Sequence, residues 1–165
     1  MISRLFKTEA DLTLTALRVV LGGVFFAHGA QKVLGWFGGY GLAGTMGAFT
    51  HQMGIPAVFA ALAIASEFLG GIGLVAGVLS RVAALAIAIE MAVAVALVHV
   101  HYGFFMNWFG NQKGEGFEYH LLAIVLAAAV MVKGAGAFSL DRVVYRFLAE
   151  SGTPAKESGA AATRA

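Results

Sequence analysis

Residues 56–100 read PAVFAALAIASEFLGGIGLVAGVLSRVAALAIAIEMAVAVALVHV, with only three charged side chains, Glu67, Arg81 and Glu90. A helix that crosses a bilayer needs about 20 mostly apolar residues. The run therefore holds two such helices, divided at Ser80-Arg81. The earlier opens at Pro56, a residue favoured at helix starts because an N–H there would be unpaired anyway, and runs to about Leu79. The later runs from about Arg81 to Val100. A two-residue connection makes the two an antiparallel hairpin.

Working outward, a first span covers about Leu12 to Leu34 and a fourth about Phe117 to Val132. The fourth is short, roughly 24 Å at 1.5 Å per residue, and is expected to continue toward Phe138 with Lys133 snorkelling to the interface. The expected fold is all-α: a bundle of four transmembrane helices with a cytoplasmic C-terminal amphipathic helix. The boundaries are a cytoplasmic N-terminus at 1–11, the membrane domain at 12–138, the amphipathic helix at 139–150 and a disordered tail at 151–165.

Composition agrees. The 165 residues are 59% hydrophobic and 12% charged, about half the charge of an ordinary soluble domain, with a mean hydropathy of +0.82. A net charge of +2, with basic residues grouped near the chain ends, gives no footprint for nucleic acid. The absence of cysteine excludes disulfides, thiol chemistry, Fe–S clusters and covalently attached haem. A cleaved signal peptide fits poorly, because Arg18 interrupts the would-be apolar core.

Charge also orients the chain. One side holds Arg4, Lys7, Arg81, Lys133, Arg142, Arg146, Lys156 and Arg164, the other only Lys32 and Lys113, so both termini are expected in the cytoplasm. Ala84, Ala88, Ala92 and Ala96 form a small-residue ridge, and Gly73 and Gly77 a small pair, either of which lets helix backbones approach. Beyond the fourth span, Ser139 is a candidate N-cap with Asp141 in the first turn. Leu140, Val143, Val144, Phe147 and Leu148 then make one apolar face for the cytoplasmic leaflet.

Ionisable groups inside a bilayer cost about 2.5–3.5 kcal/mol each and need a partner or a purpose. Counted from the span ends at 1.5 Å per residue, Arg18, Glu67 and Glu90 lie roughly 9, 16 and 13 Å deep, so one arginine and two carboxylates can meet in the interior. One reading has Arg18 pair with one of them as structural glue; the other is then left to carry a proton or find another partner. On the first helix Lys32, His28 and Gln31 fall about 40°, 80° and 140° to one side of Arg18, a polar stripe facing the bundle. Gly22 and Gly29 lie beside it and leave room for a neighbour.

All five histidines, His28, His51, His99, His101 and His120, fall at the outer ends of helices or in outer loops, with Glu115 and Glu118. His101 lies three turns above Glu90 if the third helix extends so far, and His99 then points away. These side chains have the chemistry for a metal or a bis-histidine haem, although no spacing matches a strong motif. The outer loops are rich in aromatics, including Trp36, Phe37, Tyr40, Phe104, Phe105, Trp108 and Phe109. They form either an interfacial belt or the walls of a small-molecule pocket. The glycines of the first loop let it fold back into the outer leaflet where protein covers its backbone.

Arg18 with HGAQK at 28–32, Gly54-Ile55-Pro56, Glu67 followed by GGIGLVAG, IEMAVA around Glu90 and GFEYHLL at 116–122 together resemble the DoxX family of small bacterial membrane proteins, over residues 12 to 142. The resemblance rests on their order and spacing, and Arg18, His28, Lys32, Glu67, Glu90 and Glu118 are the recurrent polar positions it implies. Family members resemble the DoxD subunit of thiosulfate:quinone oxidoreductase. The resemblance thus implies an oxidoreductase-type component of the bacterial inner membrane that acts with quinone.

The expected catalytic residues are Glu67, Glu90 and Arg18, with Arg18 holding the carboxylate pair. The expected quinone contacts are His28, Lys32, Gln31, Trp108, His101 and Glu118. Besides the lipid bilayer, the expected partners are an electron-donor protein or membrane subunit, and a homodimer is compatible with the small-residue ridges. The alternative is a non-catalytic anchor or scaffold for a partner enzyme. A small transporter fits less well, for want of an inverted repeat.

Overall fold

A computed structural model of the chain describes residues 3–151. The helices in chain order are α1 (Ser3–Phe6), α2 (Leu12–Leu34), α3 (Gly41–Gly47), α4 (Ala57–Ala76), α5 (Ser80–Leu97), α6 (Glu118–Lys133) and α7 (Leu140–Ser151). A π turn at Ala48–Gln52 continues α3, and 3-10 turns lie at Trp36–Gly38 and His99–Tyr102. No strand occurs among the described residues. The expected disordered tail lies outside them, apart from Ser151.

Local chemistry sets the helix ends. The Asp11 carboxylate accepts from Thr13 N (2.7 Å) and Leu14 N (3.1 Å) and caps α2, satisfying N–H groups that have no partner within the helix. Gly35, at φ 72°, ends α2 in the left-handed conformation glycine adopts without strain. Pro56 precedes α4 as expected, and Gly77 ends it at φ 71°. The α4–α5 turn is three residues, 77–79, not the two expected. The reason is tertiary: Asp141 of α7 accepts from Leu79 N (2.7 Å) and Ser80 N (2.8 Å), capping α5 one residue early.

The helices α2, α4, α5 and α6 pack in a closed ring, each against two neighbours. Leu21, Phe25, Leu74, Ala84, Ile87, Met91, Ala123, Ala127 and Val130 fill its centre. The closest approach is between α2 and α4, and glycine permits it. A Cβ at Gly29 would lie 2.5 Å from the backbone of Phe68, one at Gly71 would lie 2.5 Å from Phe26 N, and one at Gly22 would lie 2.8 Å from Val75 N. The alanine ridge of α5 does not play that part along its length, since Ala84 is buried and Ala88 half-buried but Ala92 and Ala96 are exposed.

Long apolar side chains face outward around the ring, Leu62, Leu69, Leu122 and Val125 among them, on a scale no water-soluble surface carries. Three helices, α2, α4 and α5, are long and apolar enough to cross a membrane. The fourth, α6, has 16 residues and covers about 24 Å. It does not continue toward Phe138. Gly134 (φ 95°) breaks it, and residues 134–139 turn back over the start of α2, where Gly136 N donates to Thr8 Oγ1 (2.7 Å) and Ala137 N to the Asp11 carbonyl (3.0 Å).

α1 packs on α7, so the described ends of the chain share one end of the ring, here the terminal end. Of the basic residues expected on one side, those described gather there, while Lys156 and Arg164 lie outside the described residues; Arg81 donates to the carbonyls of Lys7 (3.0 Å), Val132 (3.1 Å) and Met131, satisfying the last turn of α6. Val143 and Phe147 of α7 are exposed on its expected apolar face, while Asp141 turns inward.

Candidate functional site

The opposite, loop end of the ring holds a cavity of about 480 Å³. Phe25, His28 and Lys32 of α2, Ala63 and Glu67 of α4, Glu90, Met91 and Leu97 of α5, and Tyr119 and His120 of α6 form its walls. Phe49, Met53, Ile55 and Met106, from the two long loops at this end, line its rim. Apolar walls surround a small polar group. Lys32 Nζ lies 2.5 Å from Glu67 Oε2, the one ion pair among the described residues, and both side chains are largely shielded. Beside them Ser66 Oγ contacts Glu90 Oε2 and lies 2.9 Å from the Ala63 carbonyl oxygen. His28 is exposed into the open side of the cavity, its ring 6.5 Å from that of Tyr119.

Backbone proximity at Gly29 builds the ion pair. Gly29 abuts the backbone of Glu67 and Phe68, and Lys32 follows one turn later on the same face. Without a Cβ at residue 29, α2 sits close enough to α4 for the lysine to reach the carboxylate.

Hydrogen bonds hold the α5–α6 loop at the rim of the cavity. Glu118 Oε1 accepts from Met106 N (2.9 Å) and Trp108 Nε1 (3.3 Å), and Glu115 Oε2 accepts from Asn107 N (2.6 Å). His99 Nδ1 meets the Glu115 carbonyl at 2.8 Å. The wall also contains two buried polar atoms with no hydrogen-bond partner, Tyr119 Oη and His120 Nδ1. Unmet capacity of this kind is costly in a packed interior, about 1–3 kcal/mol per group.

Of the expected site residues, the structure brings Glu67, Glu90, His28 and Lys32 together on the cavity. Arg18 is elsewhere, and this corrects the expectation that it holds the carboxylates. Its guanidinium, 1% exposed, donates to the carbonyls of Ala135 (2.8 Å), Val75 (2.8 Å), Phe138 (3.2 Å) and Leu74, clasping the end of α4 and the loop after α6. Counting residues located its Cα, but Cα–Cβ bonds lean toward a helix's N-terminus. On α2 that lean carries Arg18 away from Glu67 and brings Lys32 back toward it. The cation at the carboxylates is therefore Lys32.

Gln31, His101, Trp108 and Glu118 do not line the cavity either. Gln31 Nε2 reaches the Phe37 carbonyl at 3.4 Å, and Trp108 and Glu118 tie the loop. His101 is exposed because α5 ends at Leu97 and a 3-10 turn follows. That turn brings His99 to the cavity instead, its ring 3.9 Å from that of His120. Such a contact leaves no room for a porphyrin between the two histidines. Among the described residues no group of three or more His, Asp or Glu side chains is arranged to hold a metal ion. His120 and Tyr119 were legible only as part of the outer polar cluster, and Phe25, Met91 and Met53 not at all.

No curated protein and no solved structure matches the chain. The family model for DoxX matches residues 13–100, more than half of the chain, from the first turn of α2 through α5. It spans His28, Lys32, Glu67 and Glu90 and stops short of Tyr119 and His120. By that match, and in keeping with its apolar helices and the order of its polar positions, this multi-pass membrane protein belongs to the DoxX family.

Proposed function

We propose that this protein binds a quinone-like aromatic dicarbonyl compound in the loop-end cavity and supplies a proton for its reduction. The observation that carries this reading is the meeting of Lys32, Glu67 and Glu90 in a cavity whose other walls are largely apolar. Few convergent polar groups within apolar walls is the usual make-up of a small-molecule site, and ionisable groups inside a membrane protein mark function by default. Lys32 and His28 have N–H donors for a carbonyl oxygen.

One cation faces two carboxyl groups, so the cluster is neutral when one of them carries a proton. Ser66 bears on which. Its hydroxyl has a single proton but two oxygen neighbours, the Ala63 carbonyl and Glu90. Both contacts are hydrogen bonds at once when Glu90 brings a proton of its own. In this reading Glu67 stays ion-paired with Lys32 and Glu90 is the proton donor. Reduction of a quinone to the quinol takes two electrons and two protons: Glu90 supplies one proton and water at the open side of the cavity the other, while the electrons come from a partner protein or a reduced co-substrate.

The setting is the bacterial inner membrane. α6 makes the fourth crossing with Lys133 reaching the interface, the basic terminal end faces the cytoplasm, and α7 lies on that leaflet.

The test is titration of the detergent-purified protein with a tail-less benzoquinone analogue, followed through Trp108. Saturable quenching, weakened about tenfold when His28→Ala removes one hydrogen bond and further by Glu67→Gln, supports the site. Quenching that is absent, or the same in all three proteins, refutes it and leaves the anchor reading.

A further inference from the structure

A second hollow of about 710 Å³ lies beside the cavity, in the groove between α4 and α5. Toward the terminal end the two helices run close, where a Cβ added at Gly70 or Gly73 would lie 3.8 or 3.9 Å from that of Ala83. Toward the loop end they part, and Phe59, Leu62 and Ile89 line the opening with exposed apolar surface. The two hollows share a wall at Ala63, Glu90, Val93 and Leu97. Ser66, which holds the Glu90 carboxyl, belongs to the groove. Glu90 is thus the polar group at a junction, with a bilayer-facing apolar groove on one side and the Lys32–Glu67 pair on the other.

We infer that the groove is the subsite for the apolar chain of the substrate, and that the substrate enters sideways from the bilayer between α4 and α5. This rests on the preceding reading for the head group and adds the class of molecule: a compact carbonyl-bearing ring on a single isoprenoid chain. Three observations favour that occupant. The groove shares a wall with the polar cavity, Glu90 included, rather than being an isolated dent in the lipid surface. Its run from Pro56 to Ser66 spans about 15 Å at 1.5 Å per residue, room for an extended chain. Its one polar lining pair, Ser66 and Glu90, lies where the ring would join the chain.

The test compares a tail-less benzoquinone with an analogue carrying two isoprene units, in the full-length protein and in Ala86→Phe. Ala86 lines the groove but not the cavity. A phenyl ring there displaces about two methylenes of chain, each worth about 0.8 kcal/mol, so the tailed analogue is expected to bind about tenfold more weakly. The tail-less analogue should bind within about twofold of the unmodified protein. Equal weakening of both, or of neither, overturns the inference while leaving the head-group site standing. Failure of the tail-less analogue to bind the unmodified protein overturns the head-group reading itself. A measurement without substitution stands beside it: a tailed analogue with a diazirine at the chain end, irradiated in proteoliposomes. Label on Phe59, Leu62 or Ile89, displaced by excess unlabelled tailed quinone, is the expected result. Label there that excess phospholipid displaces and quinone does not would assign the groove to bulk lipid and refute the inference.

Discussion

Replacing Lys32 by methionine keeps most of the side chain's length and removes its charge, leaving Glu67, 5% exposed, without its cation. At the 2.5 Å separation and an effective dielectric of about 20, the gross attraction is about 7 kcal/mol. Much of that offsets the cost of taking both charges out of water, and removing one partner of such a pair costs about 3–5 kcal/mol in practice. Lys32 retains some solvent contact, so the low end, about 3 kcal/mol, is expected. For a chain of this size that lowers the apparent unfolding temperature by roughly 6–12 °C. The assay is thermal unfolding in detergent followed by intrinsic fluorescence, for which the chain has Trp36 and Trp108. Adding Glu67→Gln to Lys32→Met removes the orphaned charge and should recover most of the loss, to within about 1 kcal/mol of the unmodified protein. A double variant as unstable as Lys32→Met alone, or a single variant shifted by less than about 2 °C, would refute the assignment of Lys32 as the cation at the carboxylates.

The other predictions concern what holds that pair and its surroundings. Gly29→Ala places a methyl 2.5 Å from the Phe68 backbone and should cost about 1–3 kcal/mol as overpacking, with loss of quinone-analogue binding. Gly23→Ala, where a Cβ meets nothing within 4 Å, is the matched control and should be close to neutral in the same unfolding assay. Asp141→Ala strips the cap from α5 and should destabilise the protein by about 1–2 kcal/mol. It should also free α7, which limited proteolysis would report as faster cleavage after residue 139. Glu118→Ala releases Met106 and Trp108 from their shared acceptor, so iodide should quench Trp108 more strongly while the unfolding temperature changes little. Unchanged quenching would mean that Glu118 does not restrain the loop.

The helices could be read from one dimension because their causes are local. Apolar runs of spanning length, Pro56 before α4 and the period of residues 140–148 each act within a few residues. The grouping of the described basic residues at one end was equally legible, since antiparallel helices joined by short turns return the chain to the same end. Of the polar stripe of α2, His28 and Lys32 do reach the cavity while Gln31 turns to the first loop, and glycines 22 and 29 do meet a neighbouring helix. What failed was each inference that required knowing which way a side chain leaves its backbone. Arg18 and Lys32 lie on one face of α2, and counting residues assigned the arginine to the carboxylates by depth. The lean of the side chains carries it to the carbonyls at the end of α4. The same limit exchanged His101 for His99, because a helix assumed to run on to residue 100 stops at Leu97 and the following turn rotates the two imidazoles.

By itself, then, the sequence determined a helical membrane protein with an apolar exterior, a basic terminal end and a small set of polar side chains concentrated toward the other, because hydropathy, helical period and capping are properties of neighbouring residues. Contacts between helices were needed to show that Lys32 and not Arg18 faces Glu67, that Asp141 caps a helix about sixty residues earlier, and that Glu90 sits between the loop-end cavity and a groove on the apolar outer surface. Each of those depends on distances between helices. Such distances are set where glycine backbones touch at Gly29 and Phe68, a contact between residues far apart in the chain.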